Sequence, residues 1–309
     1  MKKVTVMMST FNGQKFLRPQ IDSILAQEGV DVTLYVRDDG STDSTTDILQ
    51  EYAEQDKLTW YQSEHTITPK STKHKIGLSY LDMVKRLAVE SSSDYYAFAD
   101  QDDVWLPEKL SSAIEYIGEH APNKEAVLYT GNVSQVDIDL NFIKMRQPDG
   151  LPHFILPKDL VTAQCSGLTC VMDSKMLELF AMYSGKKMVH HDWTLKFIAL
   201  GTGTMLYDNR SFVLHRNHDM NVTNALQKKS KKTFWSRFKA NFINFITRKK
   251  EYSPTIREIY KCYKNFIPKE NHKYFKTVIN YWWNPIDWIK LFAMLKGSRD
   301  FHRIFLRSV

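Results

Sequence analysis

Strand patterns and helix patterns alternate over the first 110 residues of this 309-residue chain. Alternating apolar and β-branched residues predict strands at 3–8, 32–36, 58–62 and 95–99, with helices between them at 16–27, 43–52 and 77–89. A polar loop is expected at 63–75, and Pro107 is expected to open the next helix. This alternation favours a doubly wound α/β sheet with parallel strands. Ligands of such sheets bind outside the carboxyl ends of the strands.

The composition of the chain changes at about residue 222. Strands are predicted at 126–136, 162–172 and 204–214, and helices at 173–183 and from His191 onward. Residues 228–309 carry 20 Lys and Arg against 5 Asp and Glu, whereas the rest of the chain carries 22 against 30. We therefore expect one domain over residues 1–222 and a basic, aromatic-rich helical region over 223–309.

An acidic turn follows the predicted strand at 95–99 and contains Asp100, Asp102 and Asp103. Carboxylates so close together repel one another, and burying them without a partner is costly. A divalent ion such as Mg²⁺ or Mn²⁺, held by one or two carboxylates and by substrate phosphates, would compensate these charges. The turn therefore predicts a metal site for a phosphorylated or nucleotide-linked substrate, with a solvated turn as the alternative.

Two further turns at predicted strand ends carry polar side chains. Ser9 and Phe11 follow the first strand, where a hydroxyl group and an aromatic ring can hold a base or a ribose. Asp38 and Asp39 follow the second strand, where a carboxylate can accept a hydrogen bond from the N–H of uracil or thymine, or from a ribose hydroxyl. Ordinary β-to-α turns are the alternative for both segments.

Two segments of the second half of the domain complete the candidate site. Asp192 lies at a helix start, where it can be an N-cap or a general base in a pocket beside Trp193. A zinc site at His190 and His191 is not expected, because adjacent helical residues point about 100° apart. Arg216 and His218 can clamp a diphosphate, and His218 can also join the metal sphere. A surface loop is the alternative there.

Taken in this order, the segments resemble glycosyltransferase family 2, the inverting enzymes of the GT-A fold. The shared pieces are Ser-Thr-Phe-Asn-Gly at 9–13, Gln-Ile-Asp-Ser-Ile-Leu-Ala-Gln at 20–27, Arg-Asp-Asp-Gly-Ser-Thr-Asp at 37–43, Asp-Gln-Asp-Asp-Val-Trp-Leu-Pro at 100–107 and His-Asp-Trp at 191–193. The last two, with the Arg-x-His-x-x-Asn pattern of Arg216, His218 and Asn221, are typical of bacterial rhamnosyltransferases that build polysaccharides. The resemblance covers residues 1–222.

The resemblance implies a GT-A catalytic domain over residues 1–222, with a mixed sheet flanked by helices, and a role for each candidate residue. Contacts to the base and ribose would come from Ser9, Phe11 and Asp39, with Asp38 as the alternative acid. The DxD motif would be Asp100 and Asp102, with Asp102 nearest the Mn²⁺ or Mg²⁺ ion and Asp103 beside it. Asp192 would be the catalytic base, and Arg216 and His218 would help to hold the diphosphate.

Three positions depart from the pattern of the family. Phe11 stands where the family often has Tyr, so base stacking must replace contacts of a phenol hydroxyl. The usual Asn-x-Gly before the third helix is Lys75-Ile76-Gly77 here, which puts a donor contact in question. His191 precedes the base where Glu is common, which changes the local electrostatics.

The implied reaction moves a sugar with inversion from a nucleotide-sugar donor to a glycan or lipid-linked acceptor in cell-wall or capsular polysaccharide synthesis. L-Rhamnose from dTDP-L-rhamnose is the expected donor group, and UDP-galactose, UDP-glucose or UDP-N-acetylglucosamine is the alternative. A non-catalytic membrane-associated scaffold is the alternative from another class. A nicotinamide dehydrogenase is not expected, because no Gly-x-Gly-x-x-Gly follows the first strand.

The basic region predicts contact with an anionic membrane surface. Aromatic and apolar residues at 233–246 and 282–295 are flanked by Lys and Arg, a composition that suits a membrane interface. Packing on the catalytic domain or a homodimer interface is the alternative, and no nucleic-acid-binding pattern occurs.

The sequence does not predict a membrane-spanning helix, because every window of 18 residues contains a charged side chain. Three cysteines without metal-site spacing predict reduced thiols. We expect a cytoplasmic protein that associates peripherally with the inner face of the plasma membrane.

Overall fold

The computed structural model describes residues 1–63, 72–147, 160, 165–188, 190–218, 253–280 and 286. The strands are β1 (Lys2–Thr10), β2 (Val30–Asp38), β3 (Thr59–Gln62), β4 (Tyr95–Ala99), β5 (Val104–Trp105), β6 (Val127–Val136), β7 (Phe142–Met145), β8 (Val171–Asp173) and β9 (Thr204–Arg216). The helices are α1 (Leu17–Leu25), α2 (Thr45–Ala53), α3 (Thr72–Glu90), α4 (Lys109–His120), α5 (Ser174–Ala181), α6 (His191–Thr202), α7 (253–263) and α8 (His272–Asn280). Short 3-10 turns lie at Gly167–Thr169 and Lys269–Asn271.

The nine strands form one mixed sheet in the order β3-β2-β1-β4-β8-β6-β9-β5, and β7 pairs with β6 outside this path. The first four strands are parallel, β8 runs antiparallel to both of its neighbours, and β6 is parallel to β9. Because β1 lies between β2 and β4, the carboxyl ends of these three strands meet at one edge. The mixed α/β sheet is as expected, and this edge is where ligands of open α/β sheets bind.

Apolar residues of the strands alternate between two faces, and each face packs under its own helices. In β1, Val6 and Met8 face the layer of α1, α2 and α4, whereas Met7 faces the layer of α3, α5 and α6. This alternation follows from the two-residue period of a strand, which sends successive side chains to opposite faces. Two apolar cores, one on each face of the sheet, therefore support the strands whose carboxyl ends form this edge.

Part of the basic region packs on the α/β domain. The hydroxyl of Tyr263 in α7 donates to the Leu179 carbonyl over 2.6 Å, and Phe275 and Val278 of α8 are buried in the core beside α5 and α6. A Cβ atom at Gly201 would lie only 2.8 Å from the Phe275 ring. For residues 253–280, packing on the domain therefore accounts for most of the apolar side chains.

The other parts of that region, including the aromatic segments 233–246 and most of 282–295, lie outside the described residues. The boundary at residue 222 stays a prediction. Within the described ranges, none of the helices has the length and apolar character needed to cross a membrane.

Two helix starts differ from the sequence-based expectation. α3 begins at Thr72, so the expected loop at 63–75 is wrong for its last four residues. The polar residues there suggested a loop, yet Ser79 Oγ donates to the Lys75 carbonyl within a regular helix, and the His74 ring bonds to the Met188 carbonyl. α4 begins at Lys109, two residues after Pro107, because Pro107 and Glu108 form a turn before the helix.

The expected strand at 162–172 is confirmed at residues 171–172 and is wrong for residues 165–170. Residues 165–170 contain the turn Gly167–Thr169, in which the Cys170 N–H donates to the Gly167 carbonyl over 2.9 Å, and only Val171–Asp173 form β8. β5 and β7 were not predicted. Both are short and are defined by antiparallel pairing with β9 and β6, which a local pattern of residues does not reveal.

Candidate active site

The turns after β1 and β2 meet at the carboxyl edge of the sheet. The Asp39 N–H donates to the Thr10 carbonyl over 2.9 Å, and the Ser9 hydroxyl donates to the Asp39 carboxylate over 3.3 Å. The Arg37 guanidinium and the Ser79 hydroxyl also donate to this carboxylate, over 3.0 and 2.6 Å, and its side chain is only 4% exposed. The structure therefore brings Ser9 and Asp39 together in one hydrogen-bond network.

Asp38 is buried, and protein donors surround its carboxylate. The Thr10 hydroxyl donates to one oxygen over 2.9 Å, and the Gly40 and Ser41 N–H groups donate to the other over 3.0 and 2.8 Å. Gly40 has a φ of +90°, a left-handed conformation that glycine adopts without a steric penalty. These contacts make Asp38 the residue that shapes this turn.

Phe11 presents an aromatic ring at the same edge and is 51% exposed. The Gln101 side chain holds its backbone from the acidic turn: Nε2 donates to the Phe11 carbonyl over 3.1 Å, and Oε1 accepts from the Phe11 N–H over 2.9 Å. Lys75 Nζ lies 4.9 Å from the centre of the Phe11 ring and donates to the Asp39 carbonyl over 3.3 Å. Phe11 and the acidic turn are thus joined into one unit.

The three carboxylates of the acidic turn have different surroundings. Asp103 is fully buried and bonds to His215 Nδ1 over 2.9 Å. Burial lowers the pKa of His215, but the hydrogen bond to Asp103 and its charge outweigh this and leave that pKa raised. Asp100 keeps part of its surface open to solvent, and no donor within the described part of the chain bonds to its carboxylate. Burial and the charges of Asp103 and Asp102 raise the pKa of Asp100 to about 8.

The segment after β9 is bound to the acidic turn. His218 Nε2 lies 2.8 Å from an Asp102 carboxylate oxygen, and the His218 ring packs on Phe16 at 4.7 Å between ring centres. The Arg216 guanidinium donates to the backbone carbonyls of Asp102 and Ile138 over 3.2 and 2.5 Å. Arg216 therefore connects the acidic turn to the β6–β7 hairpin.

The four residues predicted as metal ligands do not converge as one set. Asp103 is turned toward His215, and no group of three or more His, Cys, Asp or Glu side chains within the described ranges has the arrangement of a metal site. Asp100 and Asp102 still fit a Mg²⁺ or Mn²⁺ ion, because such ions commonly take one or two carboxylates and complete their sphere with water and substrate phosphates. The partly buried carboxylate of Asp100, without a hydrogen-bond donor in the described chain, is the observation that favours this fit.

Asp192 lies in the first turn of α6, and the N-cap of that helix is His190. The Trp193 N–H donates to one Asp192 oxygen over 2.8 Å, and the Gly167 N–H donates to the other over 3.3 Å. Burial raises the pKa of Asp192 to about 6, against these hydrogen bonds and the charges of Lys196 and Arg146. The charge of Asp192 makes a small contribution to the raised pKa of Asp100, so the two carboxylates lie within electrostatic range of each other.

Tyr80 and His191 hold the two halves of this site together. The Tyr80 hydroxyl donates to the Ala99 carbonyl at the end of β4 over 2.5 Å, and its ring stacks on His191 at 4.0 Å. Burial lowers the pKa of His191 to about 3, so the ring is neutral at pH 7. The departure from Glu at this position therefore leaves no extra charge beside Asp192.

Lys75 and His191 departed from the family pattern without an assigned role in the site, and Gln101, Arg146 and Tyr80 were not predicted as site residues. Gln101 lies inside the acidic motif, so its position was a usable signal. Arg146 follows β7, a strand that was not predicted, and its guanidinium lies near Asp100, Asp103 and Asp192. No local pattern indicated that residue.

The sheet order and the acids at its carboxyl edge define a GT-A fold, and solved structures agree. The chain is similar to the crystal structure of residues 1–349 of TarS from S. aureus, with a TM-score of 0.58 and 15% identity over 97% of this chain and 74% of that one. It is also similar to a mannosyltransferase from Pyrobaculum calidifontis solved with GDP-Man and Mn²⁺, with a TM-score of 0.50 and 15% identity over 96% of this chain and 76% of that one. The fold class is that of GT-A glycosyltransferases.

The sequence comparisons give the family. The family model described as Glycosyl transferase family 2 matches residues 5–157. A dTDP-rhamnosyl transferase, RfbG of Shigella flexneri, is 27% identical over 231 residues, which cover 71% of this chain and 74% of that protein. An uncharacterised glycosyltransferase of Rickettsia typhi is 24% identical over 242 residues, which cover 76% and 71%. The chain belongs to glycosyltransferase family 2, as its motifs predicted.

Proposed function

We propose that this glycosyltransferase moves L-rhamnose from dTDP-L-rhamnose, with inversion and with a divalent metal ion, to a glycan or lipid-linked acceptor in polysaccharide synthesis. The observation that carries the proposal is the contact through Tyr80, whose hydroxyl bonds to the end of β4 directly before the acidic turn and whose ring stacks on His191 beside Asp192. An acidic turn with a separate carboxylate suits a reaction that needs a neutralised leaving group on one side and a base on the other.

The donor nucleotide would lie along the ends of β1 and β2. The exposed Phe11 ring would stack on the base, while Ser9 and Asp39 would contact the base and ribose. Asp38 would act by shaping the turn, because its oxygens already accept hydrogen bonds from the protein. Lys75 lies between Phe11 and Asp39, where its ammonium group suits a base oxygen or a phosphate.

The diphosphate would lie over the acidic turn. Asp100 and Asp102 would hold a Mn²⁺ or Mg²⁺ ion, which neutralises the negative charge that develops on the leaving nucleoside diphosphate. His218 would complete this end of the site through its contact with Asp102. Arg216 would fix the position of the turn and add positive charge near the phosphates.

Asp192 would accept the proton of the acceptor hydroxyl while that oxygen attacks the anomeric carbon from the face opposite the diphosphate. A single displacement of this kind inverts the configuration. A general base works only when ionised, and a pKa of about 6 leaves most Asp192 carboxylates ionised above pH 7. We expect the rate to fall as the pH drops through 6.

The rhamnosyl donor is supported by the similarity to the Shigella flexneri dTDP-rhamnosyl transferase. The test is a panel of dTDP-L-rhamnose, UDP-galactose, UDP-glucose and UDP-N-acetylglucosamine, each with Mn²⁺ or Mg²⁺. Release of the nucleoside diphosphate and thermal stabilisation are measured in parallel. Preference for dTDP-L-rhamnose supports the proposal, and preference for a UDP-sugar means that this sugar nucleotide is the donor instead. Binding of a donor without turnover on any acceptor would favour the scaffold function.

Replacing Asp192 by Asn removes the base and keeps the size of the side chain. We expect turnover to fall by ~10²–10⁴-fold, the usual contribution of a general base, while the affinity for the donor nucleotide stays within about twofold. Steady-state rates and calorimetric titration with the nucleotide measure the two effects. The matched control is Asp31→Asn, an exposed residue at the opposite end of β2. An Asp192→Asn enzyme with unchanged turnover would remove this residue from the mechanism.

We also propose that the basic region brings the protein to the inner face of the plasma membrane. The excess of Lys and Arg over residues 228–309 supports this, since each basic residue near an anionic surface contributes ~1 kcal/mol. Such a location would place the active site near a lipid-linked acceptor. A homodimer through the same region is the competing outcome.

A further inference from the structure

Arg146 connects the β6–β7 hairpin to the turn that contacts Asp192. Its Nη1 donates to the Ser166 hydroxyl over 2.6 Å, and its backbone N–H donates to the Val133 carbonyl over 2.8 Å. Ser166 directly precedes Gly167, whose N–H donates to Asp192. A chain of contacts therefore runs from the arginine to the carboxylate. Among the described residues, the Ser166 hydroxyl is the hydrogen-bond partner of this guanidinium.

We propose that Arg146 is a positioning residue for the base, which fixes the Ser166–Gly167 turn against Asp192 and keeps its carboxylate ionised. This inference rests on the proposed function, because it assigns Asp192 the role of base. Arg146 itself does not need to touch the sugar or the acceptor.

Space at the turn is limited, which makes its position important. A Cβ atom at Gly167 would lie 2.5 Å from His191 Nε2 and 3.4 Å from the Asp192 Cβ. The turn can therefore approach Asp192 only in a narrow range of positions. The contact between Arg146 and Ser166 joins the same turn to the end of the β6–β7 hairpin.

The charges around Asp192 give Arg146 a second role. The charged and titratable groups that interact with Asp192 are Lys196 of α6, Cys170 after the turn, Asp100 after β4 and Arg146 after β7, and His190 and His191 lie next to it in sequence. Within this set His191 is neutral, so Lys196 and Arg146 supply the opposing positive charge. Burial lowers the pKa of Arg146, and the charges of Asp103, Asp100 and Asp192 oppose that shift, as expected for a cation among acids.

The test is the pH dependence of kcat/KM for Arg146→Met and Arg146→Lys, at saturating Mn²⁺ and over pH 5–9. Loss of the positive charge raises the pKa of Asp192, so the acidic limb of Arg146→Met should move to higher pH. At pH 8.5 its kcat/KM should fall only as far as that of Ser166→Ala, which loses the same contact, and its deficit against the natural enzyme should be largest at pH 5. Arg146→Lys keeps the positive charge, so the pH at which its kcat/KM falls should lie close to that of the natural enzyme.

Two further variants separate charge from structure. Ser166→Ala removes the contact with Arg146 and keeps the charge, so we expect a smaller shift of the acidic limb together with a lower kcat. This variant also tests the positioning role if Arg146→Met does not fold. Arg18→Met removes an exposed arginine paired with Glu51, and its profile should match the natural protein. A uniform loss at every pH in Arg146→Met, or an unmoved acidic limb, overturns the inference. Failure of the proposed function is separate, since it would show as unchanged turnover in Asp192→Asn.

Discussion

Asp100 is a side chain whose surroundings lower the stability of the protein as long as no ligand is bound. It is a mostly enclosed carboxylate, lies near two others, and receives no hydrogen bond from the described residues. Neighbouring Asp38 and Asp39, by contrast, accept several hydrogen bonds each. A group of this kind is expected where a ligand, here a metal ion with the donor phosphates, supplies the missing partner.

Replacing Asp100 by Asn should therefore stabilise the protein in the absence of metal. We expect the Tm in the presence of a chelator to rise by about 2–4 °C, which corresponds to ~1 kcal/mol for a domain of this size. Activity with Mn²⁺ should fall at least ~10²-fold, because the ion loses a ligand. Thermal unfolding and product formation are measured for each protein.

The control is Asp139→Asn, an exposed acid in the β6–β7 hairpin, which should leave both quantities nearly unchanged. A lower Tm for Asp100→Asn in chelator would show that the carboxylate has a stabilising partner and would argue against a ligand-binding role.

Residue patterns predicted the acidic turn but not the orientation of each acid. Asp102 and Asp103 are adjacent and lead into β5, so their side chains point in different directions, and Asp103 faces inward to His215. The alternation of a strand would have indicated that one of the pair is buried. Gln101 could also be inferred from its place in the motif, whereas Arg146 depends on an unpredicted hairpin and on contacts between distant segments.

At the scale of elements, local patterns predicted those structures that local residues determine. β1, β2, β4, β6 and β9 have apolar side chains at regular spacing, and helices α1 and α5 have a buried face at helical spacing. β5 and β7 have only two and four residues and are defined by antiparallel pairing, β5 with the distant β9 and β7 with β6. Pairing between strands is not visible in a short window of sequence, which explains these misses.

α8 is an element whose contribution can be measured directly. Phe275 is fully buried against α6, whereas Phe266, in the turn after α7, is 49% exposed. We expect Phe275→Ala to lower the free energy of unfolding by ~3–5 kcal/mol, through lost burial and the cavity it leaves. Phe266→Ala serves as the matched control and should change it by less than ~0.5 kcal/mol. Urea unfolding measures both, and equal losses would contradict the packing of α8.

At the scale of the molecule, charge is divided between the two parts of the chain. The net charge of +7 combines an acidic first part with a basic region after residue 228. The acidic part contains the carboxylates of the candidate site, and the basic region contains the residues proposed to meet the membrane. The two proposals therefore assign donor chemistry and membrane contact to different segments of the chain.

Flotation with vesicles tests the membrane proposal on the full chain. We expect the protein to float with vesicles containing phosphatidylglycerol at low salt, and to remain in the soluble fraction with phosphatidylcholine vesicles or at high salt. Replacing Lys228, Lys229, Lys231 and Lys232 by Gln should weaken binding by up to ~10³-fold, at ~1 kcal/mol for each charge. Donor binding should not change. Protein that stays soluble at low salt with anionic vesicles would contradict the proposal.

The placement of α7 and α8 in the core has a consequence for synthesis. Residues 1–218 leave the ribosome before 253–280, although side chains from that later segment fill the apolar face of α5 and α6. At translation rates of 5–20 residues per second, the apolar face of α5 and α6 stays exposed for roughly 3–12 s before α7 and α8 have been synthesised. Chaperones can act on the exposed surface of the nascent chain in this interval, and the folded protein can form only after α8 has been made.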